Sequence, residues 1–362
     1  MPIPVITGCG MSLPPVRATN EEIYRYLPKP TDEPRWTPDW VYSKLGIITR
    51  TSSFDFTART GLPDYDLTQS VAAARMALDD AGVAASDIDR VYWATTTPRQ
   101  LLPDPACTLH ARLGMREKEE ETFSSAVGLT AVGCGGFLFA LDLADSDIRA
   151  GKRKRLLVVG SVSPGSYITA YEGMPSPERE GYLSRERAGI YIFGEGAAAF
   201  VVEASDRPGA GILRSSVGVA PTNNPIEYLG GGSLYPATHA TVSAYLHRFN
   251  MDTRLIAREA SHLFRRILQE MQAATGLTMT EFDRFIIHQV NHRLLERITT
   301  ENGIPIDRVE VHVERYGNLD TATVPVAYTE AKQQGRIRSG DLVLLAAIGA
   351  GWQYGTAVVR VP

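Results

Sequence analysis

The spacing of apolar and polar residues predicts helices and buried strands in alternation along most of the chain. A long amphipathic helix is predicted over residues 67–81, ending before Gly82, and its apolar positions fall on one broad face: Leu67, Val71, Ala74, Met76 and Leu78. Unbroken apolar runs predict buried strands at residues 91–95, 156–160 and 342–348. Alternation of this kind indicates an α/β fold with mixed sheets covered by helices.

The N-terminal region predicts shorter elements. A strand is expected at residues 3–7, followed by a turn at Gly8-Cys9-Gly10, and then a short helix at residues 19–27 capped by Thr19 or Asn20. Residues 28–37 are rich in proline and predict a loop. Residues 40–45 predict a helical turn that ends at Gly46.

The predicted elements recur in two parts of the chain. Residues 73–94 and 268–288 both predict a helix, a turn, an Asp-Arg pair and a strand. The helix and strand that follow Cys134 have the same spacing as those that follow Asn318, and glycine-rich turns precede strands at 194–203 and 351–360. We therefore predict two similar halves, residues 1–205 and 206–362, in which Cys134 and Asn318 face each other.

Composition narrows the possible functions. The 362 residues carry a formal net charge of −4, with 44% hydrophobic and 22% charged residues, so neither a nucleic acid nor an anionic membrane is expected as a partner. No apolar run reaches the roughly 18 residues of a membrane span, and the first residues do not resemble a secretion signal. The 3 cysteines form no CxxC pair, which predicts neither a disulfide framework nor a metal site and favours the reducing cytoplasm.

One of these cysteines has a position suited to chemistry. Cys134 lies in Gly133-Cys134-Gly135-Gly136-Phe137, where an apolar segment gives way to an amphipathic helix. Glycines let a substrate approach the backbone closely, and a helix N-terminus favours the thiolate over the thiol. The alternative is a small buried side chain with no chemical role.

The second half supplies two partners for this thiol. His288 ends the apolar run that begins at Phe285, and a histidine at a strand end points towards the crevice where α/β proteins bind ligands. Asn318 is predicted at a helix N-cap, which is also its alternative, purely structural role. Together, a cysteine could hold an acyl group while histidine and asparagine donate hydrogen bonds to an enolate oxygen. Backbone N–H groups at Cys134 and in the turn around Ala350 could form a second oxyanion hole.

The chain contains a series of short motifs whose order along the sequence is more specific than any one of them alone. They are Gly46-Ile47-Ile48-Thr49-Arg50, Ala94-Thr95-Thr96-Thr97-Pro98, the cysteine motif, Phe193-Gly194-Glu195-Gly196-Ala197, His288-Gln289-Val290-Asn291, Tyr316-Gly317-Asn318 and Gly340-Asp341-Leu342. From residue 6 to residue 361 the chain resembles 3-oxoacyl-(acyl-carrier-protein) synthase III and related condensing enzymes. The resemblance implies a five-layered α-β-α-β-α thiolase fold, a homodimer, and a catalytic triad of Cys134, His288 and Asn318.

The resemblance also implies substrates and binding residues. Acyl-CoA and a malonyl-type thioester are the expected substrates, an acyl carrier protein is the expected partner, and no permanently bound cofactor is expected. Trp40 and Arg187 match the residues that sandwich the adenine of coenzyme A, and Lys44 a phosphate contact. Two further arginines, Arg258 and Arg293, match positions that dock the carrier protein. The loop residue that enters the partner's acyl pocket corresponds to Leu102.

Departures from the family pattern leave the substrate and the exact reaction open. The Thr-Ser-Ala that usually follows the triad asparagine is Leu319-Asp320-Thr321 here, and residues 124–132, 164–183 and 220–240 are unusually long. The leading hypothesis is a decarboxylative Claisen condensation in a specialised fatty-acid or polyketide pathway. The alternatives are acyl transfer to an oxygen or nitrogen acceptor, a plant-type polyketide synthase, whose Gly-Phe-Gly-Pro-Gly turn is missing, and an inactive partner subunit, which the intact triad argues against.

Overall fold

The structure is a computed structural model, and it describes residues 1–27, 35–61, 64–115, 124–165, 187–220, 226–228, 231–244, 246 and 249–362. Its strands are β1 Ile3–Ser12, β2 Val16–Thr19, β3 Thr49–Ser52, β4 Phe54–Asp55, β5 Thr60–Gly61, β6 Arg90–Thr95, β7 Ser125–Thr130, β8 Arg155–Val162, β9 Gly196–Ser205, β10 Gly211–Val219, β11 Ile226–Tyr228, β12 Phe249–Met251, β13 Arg284–Ile287, β14 Leu342–Ile348 and β15 Gln353–Arg360. Its labelled helices are α1 Asn20–Tyr26, α2 Pro38–Leu45, α3 Tyr65–Ala81, α4 Pro105–Leu113, α5 Gly136–Arg149, α6 His239–Ser243, α7 Thr253–Thr275, α8 His292–Glu301, α9 Val313–Tyr316 and α10 Thr323–Gln333.

Two large sheets share one strand order. The 5-stranded sheet runs β1-β9-β8-β6-β7 and the 4-stranded sheet runs β10-β15-β14-β13. In each, the first two neighbouring pairs are antiparallel and the third pair is parallel. The strands β1, β9, β8 and β6 thus correspond to β10, β15, β14 and β13. Because β9 ends at Ser205 and β10 begins at Gly211, each sheet draws its strands from one side of this linker, which supports the two-half division that we propose.

Helices cover both faces of each sheet and so produce five layers. Buried residues of α5 and α10 pack between the two sheets, for example Phe137 and Tyr328 against Phe200 of β9. Helices α3 and α4 cover the outer face of the first sheet, and α7 and α8 cover the outer face of the second. Strands buried on both faces need apolar side chains throughout, which is why 156–160 and 342–348 are unbroken apolar runs. This is the predicted α-β-α-β-α architecture.

The first strand is longer than its sequence suggests. β1 continues through the predicted turn at Gly8-Cys9-Gly10 to Ser12, so the predicted turn is wrong. A Cβ on Gly8 would lie 2.2 Å from the carbonyl oxygen of Ala77. Glycine is therefore used here to let α3 pack directly against the strand backbone, and not to reverse the chain.

Most of the predicted elements lie within two residues of the observed ones. Helix α1 carries the predicted Thr19 cap, and Glu22 closes a capping box with it. Helix α3 has the predicted end, but Met76 is 43% exposed and so lies off the buried face. The predicted loop at 28–37 and the unusually long segment at 164–183 lie largely outside the described residues. No helix in the described ranges combines the length and apolarity that crossing a membrane requires.

Candidate active site

Cys134 lies where the two halves meet. It occupies a 3₁₀ turn, Gly133–Gly135, that leads directly into α5. A Cβ on Gly133 would lie 2.5 Å from the Ala350 nitrogen, and one on Gly349 would lie 2.6 Å from the Cys134 nitrogen. The two backbone segments predicted to form an oxyanion hole are therefore in direct contact, and glycine is required on both sides for that approach.

The thiol of Cys134 is protonated in the resting protein. Its side chain is buried, and burial together with the nearby Asp320 carboxylate raises the thiol pKa well above its usual range. The expectation that the helix N-terminus would favour the thiolate is therefore wrong for this state. A helix terminus contributes about 0.3–1 kcal/mol, less than one pKa unit, whereas full burial shifts a pKa by up to about 3–5 units.

Asp320 is the residue of the site to which the sequence assigned no role. It has φ 46°, lies 6% exposed in the 3₁₀ turn Asp320–Ala322, and accepts a hydrogen bond on Oδ2 from Thr96 Oγ1 at 2.5 Å. Burial raises the pKa of its carboxyl group. Its Oδ1 is buried and has no hydrogen-bond partner, and the neighbouring Cys134 thiol partly offsets the rise in the pKa of this carboxyl. The signal in the sequence was the departure from Thr-Ser-Ala.

His288 is held at the edge of the second sheet. It follows β13, an edge strand, and its backbone N–H donates to the Ala346 carbonyl of β14 at 2.8 Å. The strand itself ends one residue earlier, at Ile287. The side chain is 4% exposed, and neither ring nitrogen has a hydrogen-bond partner. Burial, with a smaller contribution from His312, lowers the pKa of His288 to about 3, so the imidazole is neutral and carries one N–H donor.

Gln289 and His312 fasten the turn that carries His288, and neither was expected to take part in catalysis. The fully buried Gln289 amide accepts hydrogen bonds from the backbone N–H groups of His312 and Val313, both at 3.0 Å, and donates to the Glu310 carbonyl at 2.6 Å. The His312 Nε2 lies 3.2 Å from the Thr323 carbonyl oxygen, and burial lowers the pKa of this ring to about 4. The turn that carries His288 is thereby fastened to the segment that leads to Asn318.

Asn318 is fixed by backbone and side-chain bonds. Its N–H donates to the Ile192 carbonyl at 2.8 Å, and its carbonyl accepts from the Gly194 N–H at 2.9 Å. Its Oδ1 accepts from the Asp320 N–H at 2.8 Å, which leaves the amide NH₂ as the group free to meet a ligand. Asn318 is not the predicted helix N-cap, because Asp320–Ala322 forms a 3₁₀ turn before α10. The glycine at 317 needs φ 73° and admits no Cβ, which would lie 2.9 Å from the Arg50 Cβ.

The three triad candidates are thus linked through intermediate residues. Asn318 binds the backbone of Asp320, and Asp320 lies beside Cys134. His288 is bonded to β14, the strand that leads into the Gly349 turn packed on Cys134. All three side chains are buried at the junction of the two halves. Their roles remain a proposal.

A surface cleft of about 290 Å³ brings together two residues predicted for different tasks. Lys44, expected at a coenzyme A phosphate, and Arg293, expected to dock the carrier protein, both line it, with Asn291 between α8 and the His288 turn. Arg297 adds a third cation to the lining. Three cations therefore line this cleft, and its lining includes Val290, two residues after His288 in the chain.

The predicted adenine sandwich has a different appearance. Trp40 is half-buried, and its ring centroid lies 4.9 Å from that of Trp36. The guanidinium of Arg35, which the sequence did not single out, lies 5.8 Å from the Trp40 ring centroid. Arg187 is 1% exposed, so its guanidinium presents no open face for an adenine in this structure. Its proposed role stays a prediction.

The other predicted positions lie at the surface. Arg258 is exposed and pairs with Glu259 at 2.6 Å, while Arg293 pairs with Glu296 at 3.0 Å. Leu102 is 88% exposed in the loop before α4, and its role in a partner's acyl pocket stays a prediction. Cys9, Cys107 and Cys134 are all free thiols. Within the described ranges, no cluster of three or more His, Cys, Asp or Glu residues could hold a metal ion.

Comparisons with known proteins identify the family of this chain. The family model of 3-oxoacyl-[acyl-carrier-protein] synthase III matches residues 130–221, and the model of its C-terminal domain matches residues 272–361. β-Ketoacyl-[acyl-carrier-protein] synthase III of Rhizorhabdus wittichii is 32% identical over 356 residues, covering 98% of each chain. The synthase of the same name from Rhodospirillum centenum is 32% identical over 359 residues, with the same coverage.

A solved structure extends the similarity to the fold. The crystal structure of β-ketoacyl-[acyl-carrier-protein] synthase III from Thermus thermophilus matches with a TM-score of 0.78 at 28% identity, covering 99% of each chain. The curated relatives and the fold therefore agree along nearly the whole length, and the family models agree over the residues that they match. The chain belongs to the 3-oxoacyl-[acyl-carrier-protein] synthase III family of condensing enzymes, acyltransferases of the thiolase fold.

Proposed function

We propose that the enzyme loads an acyl group on Cys134 and condenses it with a malonyl-type thioester, with loss of CO₂. The observation that carries this proposal is the pair of neutral hydrogen-bond donors at the site. His288 is buried and neutral with unpaired ring nitrogens, and the Asn318 amide nitrogen is free while its oxygen is engaged.

Such donors suit an enolate. Loss of CO₂ from a malonyl thioester leaves a carbanion whose charge resides largely on the thioester oxygen. Two N–H groups aimed at that oxygen stabilise it without a strong base, and a buried site strengthens both bonds. His288 and Asn318 would take this role, and the carbanion would then attack the carbonyl carbon of the acyl group on Cys134.

The acyl-transfer steps need a second oxyanion hole. The Cys134 and Ala350 backbones are in contact through Gly133 and Gly349, so both N–H groups belong to one small region of backbone. A tetrahedral intermediate on the Cys134 acyl group would place its oxygen within reach of these donors.

Substrates would enter through the cationic cleft. Lys44, Arg293 and Arg297 suit the phosphates of coenzyme A and the acidic surface of a carrier protein. No permanently bound cofactor is needed for these steps.

We further propose a homodimer in which Leu102 enters the partner's acyl pocket. We also propose that the protein works in the reducing cytoplasm, which fits the three free thiols. The departures around Asp320 favour a specialised fatty-acid or polyketide substrate.

Acyl transfer to an oxygen or nitrogen acceptor is the second candidate function. Asp320 favours it, because a carboxylate beside the acyl-bearing sulfur is placed to deprotonate an attacking hydroxyl or amine. In that case no CO₂ is released and a malonyl thioester is not required.

One experiment separates these functions. The protein is incubated with a panel of acyl-CoA donors, with and without malonyl-CoA or a malonyl carrier protein, while intact mass and released CO₂ are followed. Cys134→Ala should abolish acylation, whereas Cys107→Ala, which removes an exposed thiol, should not. His288→Ala and Asn318→Ala should still be acylated but lose CO₂ release, and His262→Ala serves as their control. Acylation of Cys134→Ala would refute the nucleophile, and CO₂ release by both triad variants at the parent rate would refute condensation.

A further inference from the structure

We propose that Asp320 accepts the proton of the Cys134 thiol during acyl loading and returns it to the sulfur of the departing donor. This inference rests on the proposed role of Cys134 as the nucleophile. It starts from a difficulty in the site, because the thiol is buried and protonated at rest, and only the thiolate is a good nucleophile. Some nearby group must take up its proton.

His288 is poorly suited to that task. Its neutral ring sits in an environment that opposes a positive charge, since burial and the neighbouring His312 both disfavour protonation. An imidazolium formed by accepting the thiol proton would have to exist in that environment. A carboxylate that accepts a proton becomes neutral, which is the form that burial favours.

Asp320 has the geometry of a held base. Its Oδ2 is fixed by the Thr96 hydroxyl at 2.5 Å, and its backbone N–H by the Asn318 side chain at 2.8 Å. The next residue, Thr321, anchors the turn through its hydroxyl, which donates to the Ser161 carbonyl of β8 at 2.6 Å. The remaining oxygen, Oδ1, is buried and has no hydrogen-bond partner. The turn packs on the segment that carries Cys134, since a Cβ on Gly136 would lie 3.1 Å from Thr321 Cγ2, and the thiol is near enough to affect the pKa of the Asp320 carboxyl. One carboxylate oxygen is fixed by a hydroxyl, the turn that carries it is fixed at two further points, and the other oxygen has no partner. Such a carboxylate near a thiol is positioned to receive its proton.

The step balances without a further reactant. The proton leaves Cys134 Sγ for Asp320 Oδ1 as the Sγ–C bond forms to the acyl carbon. The bond between that carbon and the donor sulfur then breaks, and Asp320 gives the proton to the departing thiolate. The products are an acyl-enzyme and the free donor thiol, with Asp320 ionised again. Besides the Cys134 thiol, the groups that perturb this carboxyl are the Thr96 hydroxyl and the Thr321 backbone N–H.

The test compares acyl-loading rates of the unaltered protein, Asp320→Asn and Cys134→Ala by rapid quench and intact mass. Asparagine tolerates the φ of 46° at this position, so Asp320→Asn preserves the backbone. A proton acceptor predicts that loading in Asp320→Asn falls by about a hundredfold or more near neutral pH, and that the deficit shrinks at high pH. A merely electrostatic Asp320 predicts the opposite, since removing a carboxylate lowers the thiol pKa and speeds loading.

A second variant covers the case in which Asp320→Asn does not fold. Asp320→Gly tolerates the backbone angle at this position and leaves the space of the carboxylate empty. If the variant lost a proton acceptor, added formate should raise its rate of acyl loading by about tenfold. Loading in Asp320→Asn at or above the parent rate, or no restoration of Asp320→Gly by formate, would overturn the inference. Failure of the unaltered protein to load any donor would instead refute the proposed function.

Discussion

Replacing His288 should make the protein more resistant to acid. In the fold its pKa is about 3, against 6.5 for an ordinary histidine, because the ring is buried beside His312. The unfolded chain therefore binds a proton below about pH 6.5 that the folded chain refuses, and stability falls with pH through that range. His288→Phe removes this proton and loses no hydrogen bond of the resting structure, since both ring nitrogens are unpaired.

The magnitude follows from the two pKa values. A pH of about 5 lies roughly 1.5 units below the pKa of 6.5 that the histidine has in the unfolded chain. At 1.36 kcal/mol per unit, the free energy of unfolding is therefore about 2 kcal/mol lower at pH 5 than at pH 7. Asp66 acts in the opposite sense, because burial raises its pKa to about 7 and its protonation stabilises the fold as pH falls. His312, whose pKa burial lowers to about 4, acts in the same sense as His288, so the pH profile of the parent alone does not isolate any one of these groups. The difference between parent and variant isolates His288.

Urea unfolding at pH 7, 6 and 5 measures this difference. Between pH 7 and 5 the parent should lose about 2 kcal/mol of unfolding free energy more than His288→Phe does. His262→Phe, at an exposed position, should follow the parent. If the unfolding free energies of the parent and His288→Phe change equally between pH 7 and 5, burial does not hold His288 neutral. That result would contradict the proposed role of His288 as a neutral hydrogen-bond donor to the enolate.

Two further predictions concern the supports of the site. Gly349→Ala should reduce the rate of Cys134 acylation, measured by intact mass, by about tenfold or more, because its Cβ would lie 2.6 Å from the Cys134 nitrogen. Gly232→Ala, whose Cβ would have no atom within 4 Å, should leave this rate unchanged. An unaffected rate in Gly349→Ala would contradict the contact between the two oxyanion segments. Gln289→Ala should cost about 3 kcal/mol in urea unfolding, because it strands three buried backbone groups, while the exposed Gln334→Ala should cost under about 0.5 kcal/mol. Equal losses of unfolding free energy in both glutamine variants would refute the role of Gln289 in fastening the His288 turn.

The repeat made much of the fold predictable from sequence. Helix and strand spacings recur because the two large sheets share one order over four of their strands. Apolar runs such as 342–348 are unbroken because both faces of the strand are covered. Boundaries failed where packing overrode local preference. Gly8 reads as a turn residue from its neighbours alone, yet it is a strand residue because α3 needs its bare backbone.

The chemical residues were predictable only in part. Motif order singled out Cys134, His288 and Asn318, since a nucleophile and two donors need particular residue types. Their electrostatic state was not predictable, because a pKa depends on burial and neighbours that are distant in sequence. Local reasoning predicted a thiolate at a helix start, and the burial of Cys134 beside Asp320 reversed that expectation.

The sequence by itself determined the family and the α/β fold class, and it predicted the division into two halves and the three candidate catalytic residues. Hydrophobic periodicity and residue type are local properties that can be read from the sequence without the fold. Only the tertiary structure decided that Asp320 lies beside the thiol, that Gln289 fastens the His288 turn and that Lys44 and Arg293 share one cleft. These are contacts between residues far apart in the chain, and their energies arise from desolvation and hydrogen-bond geometry that exist only after the two halves have packed together.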